Sequence, residues 1–167
     1  MPRLPLALLL ACATFRAPAA DCPHAGAAAR TLAATAWLTT AVYEGDDRTR
    51  NLIDRYPAVV GVSLWDACSN RFEYFDPEDG ASRLAKGGGG YFLFTGDGIH
   101  QVTLPDHGPV LRRRMEVLDA GTFTYSRQVP RAFMEGHPEI TLHVEHTPFR
   151  GALPLPAQPA QPRSTQP

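Results

Sequence analysis

Between Ala20 and Pro148, short runs of alternating apolar and polar residues are interrupted by Gly, Asp, Asn or Pro. Period-two alternation bounded by such residues predicts strands joined by turns. Eight strands are expected, at Ala36–Tyr43, Val59–Asp66, Arg71–Phe75, Tyr91–Thr95, Ile99–Leu104, Val110–Leu118, Thr122–Val129 and Ile140–His146. One short helix is expected over Asp47–Tyr56, capped by Asp46 or Asp47 and ended by Pro57. Strands and helices do not alternate, which argues against a parallel sheet. The pattern predicts an all-β fold: a closed antiparallel eight-stranded meander barrel, with a β-sandwich as the alternative.

Side-chain phase registers two hairpins. Setting Phe92 and Phe94 on the same face as His100, Val102 and Leu104 puts Phe94 opposite His100 and leaves Gly96-Asp97-Gly98 as the loop. Setting Leu111, Met115 and Val117 on the same face as Phe123, Tyr125 and Val129 leaves Asp119-Ala120-Gly121. Gly98 and Gly121 are each expected to take the left-handed conformation that a three-residue loop requires.

The same phase places charges on an apolar face. Arg113 falls with Leu111 and Met115, Arg127 falls with Tyr125 and Val129, and the register makes the two arginines cross-strand neighbours. His146 shares a face with Ile140, Leu142 and Val144, His100 with Val102 and Leu104, and Tyr74 with Phe72. Two inward cations are costly unless an anion lies between them. That anion is either a carboxylate of the chain, such as Asp76, or the head group of a ligand, which a planar guanidinium fork binds bidentately. The candidate ligand-binding residues are therefore Arg113, Arg127, Tyr125, His146, Tyr74 and His100. Alternatively the arginines sit at the barrel mouth, pair internally, or change face at a bulge.

Composition narrows the field. The formal net charge of -1 supplies no global field for nucleic acid or an anionic membrane. Arg3, the apolar Leu4–Thr14 and Ala17-Pro18-Ala19 form the three parts of an export signal, so residues 1–20 are expected to be a removed leader. The minor alternative is a lipoprotein box ending at Cys12. Export to the periplasm or beyond puts the remaining cysteines, Cys22 and Cys68, in an oxidising compartment, where a disulfide is expected. No later apolar run is long enough for a transmembrane helix. Residues 21–150 form the barrel domain, and residues 151–167, rich in Pro, Ala and Gln, are expected to be a disordered tail.

Other motifs carry less. In His143-Val144-Glu145-His146 the two histidines point to opposite faces, and no histidine spacing fits zinc, so no metal is expected. Gly87–Gly90 is not followed by Lys-Ser or Lys-Thr and reads as a flexible loop rather than a phosphate cradle. No catalytic constellation and no cofactor motif is present.

Several strings carry a resemblance: Trp37-Leu38-Thr39-Thr40, Arg71-Phe72-Glu73-Tyr74-Phe75-Asp76, Tyr91 to Gly98 (YFLFTGDG), Phe123-Thr124-Tyr125-Ser126-Arg127 and His146-Thr147-Pro148-Phe149. Together they resemble an exported bacterial family, domain of unknown function 4822. The resemblance spans roughly Trp37 to Gly151 and implies a lipocalin-like barrel with a central cavity, but no site residues. Three functions follow as expectations. The first is binding of a small acidic or amphipathic molecule in the barrel interior. The others are an interaction module with a filled barrel, and a barrel enzyme using His146 or Tyr125.

Overall fold

The computed structural model describes residues 22–130 and 139–153. The expected leader, Cys12 and the tail beyond residue 153 lie outside them.

Eight antiparallel strands close a barrel in simple sequence order, each paired with the next and β8 with β1. They are β1 (Trp37–Glu44), β2 (Val62–Asp66), β3 (Arg71–Phe75), β4 (Gly89–Phe94), β5 (His100–Pro105), β6 (Leu111–Leu118), β7 (Phe123–Val129) and β8 (Ile140–Pro148). The barrel, not the sandwich, is the fold. Closure leaves no free sheet edge in a chain of this size.

The short helix is not where alternation placed it. Helix α1 spans Ala27–Ala33, ahead of β1. Its alanine-rich stretch has the highest helix propensity available, and its buried Ala29 and Leu32, three apart, face the barrel. Trp37 Nε1 donates to the Leu32 carbonyl at 2.8 Å, satisfying one of the acceptors a helix end leaves open. Over the expected Asp47–Tyr56 helix only a single 3-10 turn forms, at Ile53–Arg55. Here polar side chains bond the backbone in competition with a helix. Asn51 Oδ1 accepts from Val42 N and Ile53 N while Asn51 Nδ2 donates to the Thr40 carbonyl. Asn51 thereby covers the stretch of β1 beyond its short pairing with β2 at Trp37 and Leu38.

One end of the barrel is filled. Helix α1 packs against β2, β4 and β6, and Leu32 joins Trp37, Trp65, Phe72, Phe92 and Phe123 in one buried cluster. Trp65 meets Phe92 edge-on at 5.0 Å and lies 5.2 Å from Phe72, while Trp37 meets Phe123 at 5.7 Å. Each such pair contributes about 0.5–1.5 kcal/mol beyond its burial. The Cys22–Cys68 disulfide, with Cα atoms 5.2 Å apart, ties the segment before α1 to the turn after β2. Among the described residues no helix is long and apolar enough to cross a membrane.

Both hairpin loops are one residue longer than phase suggested. Phe94 pairs with Gln101, not His100, because Thr95 N donates to the His100 carbonyl across a Gly96–Ile99 loop. Gln101 and Thr103 therefore face inward and are fully buried, while His100 and Leu104 are exposed on the outside. Gly98 does take a positive φ of 67°. In the second hairpin Leu118 pairs with Phe123, and a bulge between Met115 and Val117 restores Met115 opposite Tyr125. Gly121 is not left-handed there. Asp119 Oδ1 accepts from Gly121 N and Thr122 N and makes the turn instead.

The four-glycine run is not a loop throughout. Gly87 ends a 3-10 turn at φ 80°, but Gly89 and Gly90 are the first residues of β4.

Candidate functional site

The other half of the barrel interior is polar. A pocket of about 120 Å³ there is lined by residues that include Thr39, Ser63, Trp65, Tyr74, Arg83, Arg113, Phe123, Tyr125, Arg127 and His146. It adjoins a wider space of about 370 Å³ at the mouth, between the loops before β2, before β4 and before β6. Tyr74, Arg83, Leu111 and Arg113 line both. Drug-sized ligands occupy about 300–1,000 Å³, and an engineered cavity of about 150 Å³ holds benzene. The inner pocket is thus matched to one ring or less.

Five of the six candidate residues, Tyr74, Arg113, Tyr125, Arg127 and His146, line this one pocket. Each arrives by strand alternation. Tyr74 pairs with Ser63 between β3 and β2, and Tyr125 with Val144 between β7 and β8. His146 lies between Phe123 on β7 and Thr39 on β1. Arg113 pairs with Gln101 across β6 and β5. The paired register of β6 and β7 ends at Arg114 and Ser126, so Arg113 and Arg127 occupy the next level, just past the last pair. The sixth candidate, His100, is elsewhere. The added loop residue turns it outward, where its Nδ1 meets Asp97 Oδ2 at 2.7 Å.

Arg113 is 4% exposed. Its Nη2 donates to Tyr74 Oη at 2.9 Å and its Nη1 to Gln101 Oε1 at 3.4 Å. Its guanidinium carbon stacks 4.4 Å from the Tyr125 ring centroid. Burial works against the charge, but the phenols of Tyr74 and Tyr125 and the Tyr74 hydrogen bond outweigh it and raise the Arg113 pKa. Among the described residues no carboxylate pairs with Arg113 or Arg127. Asp76, the internal candidate, bonds Arg83 at 3.2 Å instead. Four buried polar atoms in this half have no hydrogen-bond partner among the described residues: Arg113 Nε, Arg127 Nε, Gln101 Nε2 and Thr103 Oγ1.

His146 supplies the opposite polarity. Its ring stacks on Phe123 at 4.5 Å, and Nδ1 lies 3.0 Å from the Phe123 carbonyl oxygen. A carbonyl only accepts, so Nδ1 carries the hydrogen and Nε2 keeps its lone pair. Burial, with a smaller push from the Arg113 charge, lowers the imidazole pKa to about 3, against the hydrogen bond to Phe123 that raises it. His146 is therefore neutral at any ordinary pH. Burial chiefly raises the Tyr125 pKa, so its phenol also stays protonated.

Phase analysis missed several members. Ser63 and Trp65 alternate on β2, and Trp65 Nε1 donates to Ser63 Oγ at 2.9 Å. Gln101 and Thr103 were assigned to the wrong face by the loop length. Arg83 comes from a turn, where alternation carries no information, and its Nη1 donates to the Val60 carbonyl at 2.7 Å. His143 faces outward, as its spacing from His146 requires, yet is 7% exposed. Its Nδ1 meets Glu116 Oε1 at 2.8 Å and also Arg48 Nη2. Burial raises the Glu116 pKa, but Ser126, Arg48 and His143 hold it below the ordinary value. Asp66 lies beside Cys22 and Cys68, but a disulfide offers a metal no thiolate.

The family described as Domain of unknown function (DUF4822) matches residues 29–156. The chain belongs to that family. No curated protein matches it.

Proposed function

We propose that this DUF4822 protein is a binding module that holds a small organic anion, a carboxylate, in the polar half of its barrel. One observation carries the reading: two inward arginines, neither paired to an acid among the described residues, line one small pocket and leave both Nε atoms unbonded. A buried cation without a counter-charge is costly, and a bound carboxylate relieves that cost while accepting from both forks. Tyr74 adds a donor, because its oxygen already accepts from Arg113 and its own hydrogen is left to point elsewhere. The volume supports an acid with a compact body rather than a long-chain amphiphile, since aromatic rings fill the other half. The leader-like residues 1–20 support delivery outside the cytoplasm, where the Cys22–Cys68 bridge is stable.

That filled aromatic half favours a second reading, an interaction module whose barrel is only a scaffold. An enzyme relying on His146 as a base is less supported, because a group with a pKa of about 3 is a poor base near neutrality.

Native mass spectrometry of protein purified from its own compartment without detergent tests the first reading. A small mass that departs on denaturation is the expected result. A bare protein that also gives no calorimetric heat with millimolar carboxylates moves the case to the scaffold reading.

A further inference from the structure

The hydrogen-bonding groups of the pocket are uneven in kind. Arg113, Arg127 and Tyr74 present donors. The Ser63 hydroxyl accepts from Trp65 and so has its own hydrogen to give. Two backbone acceptors at the rim are already used, the Val59 carbonyl by Thr39 Oγ1 and the Val60 carbonyl by Arg83. His146 Nε2 is different. With Nδ1 bound to the Phe123 carbonyl, Nε2 is an acceptor with no partner among the described residues, on a 5% exposed ring that lines the pocket.

The donors and this acceptor are bridged by one surface. Arg113 stacks 4.4 Å from the Tyr125 ring centroid, and the His146 ring lies 5.6 Å from the same centroid at an interplanar angle of 30°. Tyr125 thus neighbours both groups, and a small ring held in the pocket that all three line has a donor and an acceptor beside it. Trp65 and Phe123 complete an aromatic wall. Arg113 lines both the inner pocket and the wider mouth, and Arg127 lines the inner pocket, so a carboxylate between them lies where the two spaces meet rather than wholly within the inner volume.

We infer that the ligand is a monocyclic hydroxy-carboxylate, its carboxylate held by Arg113 and Arg127 and its ring hydroxyl donating to His146 Nε2. The inference rests on the anion-site reading and adds the second polar contact, which sets specificity. A site that hydrogen-bonds a hydroxyl rejects the analogue lacking it, because the buried acceptor is then left unpaired.

Calorimetric titration of the disulfide-intact protein with benzoate, 3-hydroxybenzoate, 4-hydroxybenzoate and methyl 4-hydroxybenzoate tests it. At least one hydroxybenzoate should bind about tenfold or more tightly than benzoate, and the ester should bind more weakly than its acid. His146→Phe keeps a stacked ring but no acceptor. It should abolish the hydroxyl preference, so that benzoate and the hydroxy acids bind alike. Benzoate binding as well as both hydroxy acids, or a preference surviving in His146→Phe, overturns the inference while the anion site stands. Failure of every acid to bind overturns both. The comparison of ligands on the unaltered protein decides the matter even where the variant does not fold.

Discussion

Arg113 lies 4.4 Å from the centre of the Tyr125 ring and donates to Tyr74, so two phenols, and no carboxylate among the described residues, hold this buried cation. Phenols supply oriented dipoles and a ring face but no counter-charge, which leaves the site electrostatically incomplete.

Stability and binding should therefore separate at this position. Replacing a buried, incompletely paired charge by an apolar residue of similar length is often neutral or stabilising by about 1–4 kcal/mol. Arg113→Met is expected to unfold in urea at the wild-type midpoint or above it, while losing carboxylate binding. Tyr74→Phe is expected to do the reverse to stability. It deprives Arg113 Nη2 of its acceptor and should cost about 1.5–3 kcal/mol. A clear destabilisation by Arg113→Met would show that the arginine is structural.

The Cys22–Cys68 bridge spans a sequence separation of 46 residues. On the chain-entropy account a loop of that size stabilises by about 4 kcal/mol. Urea unfolding with and without reductant should show a loss of that order, and thiol titration of the native protein should find neither cysteine reactive. A free thiol at either position removes the bridge from the account.

Much of the barrel was legible because each strand buries one face, and period-two alternation records that directly. Tyr74, Arg113, Tyr125, Arg127 and His146 were found this way, as polar residues in an apolar phase. The method fails where phase is reset. One extra loop residue turned His100 out and Gln101 in, since a single-residue slip exchanges every side chain between faces. In the β6–β7 hairpin the loop was again one residue longer, but the bulge after Met115 cancelled the slip, so Arg113 kept its inward place. Helix α1 was missed because seven residues, mostly alanine, carry little periodic signal. The expected Asp47–Tyr56 helix failed because Asn51 bonds the β1 backbone, a long-range competition that local propensity does not register.

Gly90 is required by close approach. A Cβ there would press on the Leu104 carbonyl oxygen and lie 2.7 Å from Pro105 Cα and 2.9 Å from Phe72 Cε1. Two of those atoms are backbone of the paired strand β5 and cannot swing aside. Gly90→Ala is expected to destabilise by about 1–3 kcal/mol or more through overpacking. Gly96, with nothing within 4 Å, serves as the control, and Gly96→Ala should change little. Equal thermal midpoints for the two variants would contradict the β4–β5 register.

His146 makes stability depend on pH in one direction. The folded protein holds it neutral, with a pKa of about 3, whereas an unfolded imidazole protonates near 6.5. Above pH 6.5 both states are neutral and the contribution is fully present. As pH falls below that value the unfolded state takes up a proton that the folded state refuses, and stability declines until about pH 3, by up to about 1.4 kcal/mol per pH unit. Carboxylates also titrate toward the acid end of this range, so the useful quantity is a difference between proteins. Between pH 7 and pH 4.5 the wild type should lose about 2.5 kcal/mol more than His146→Phe, measured by urea unfolding at each pH. Losses that match in the two proteins would mean that His146 is hydrated in solution, and that its Nε2 is open to water rather than reserved for a ligand.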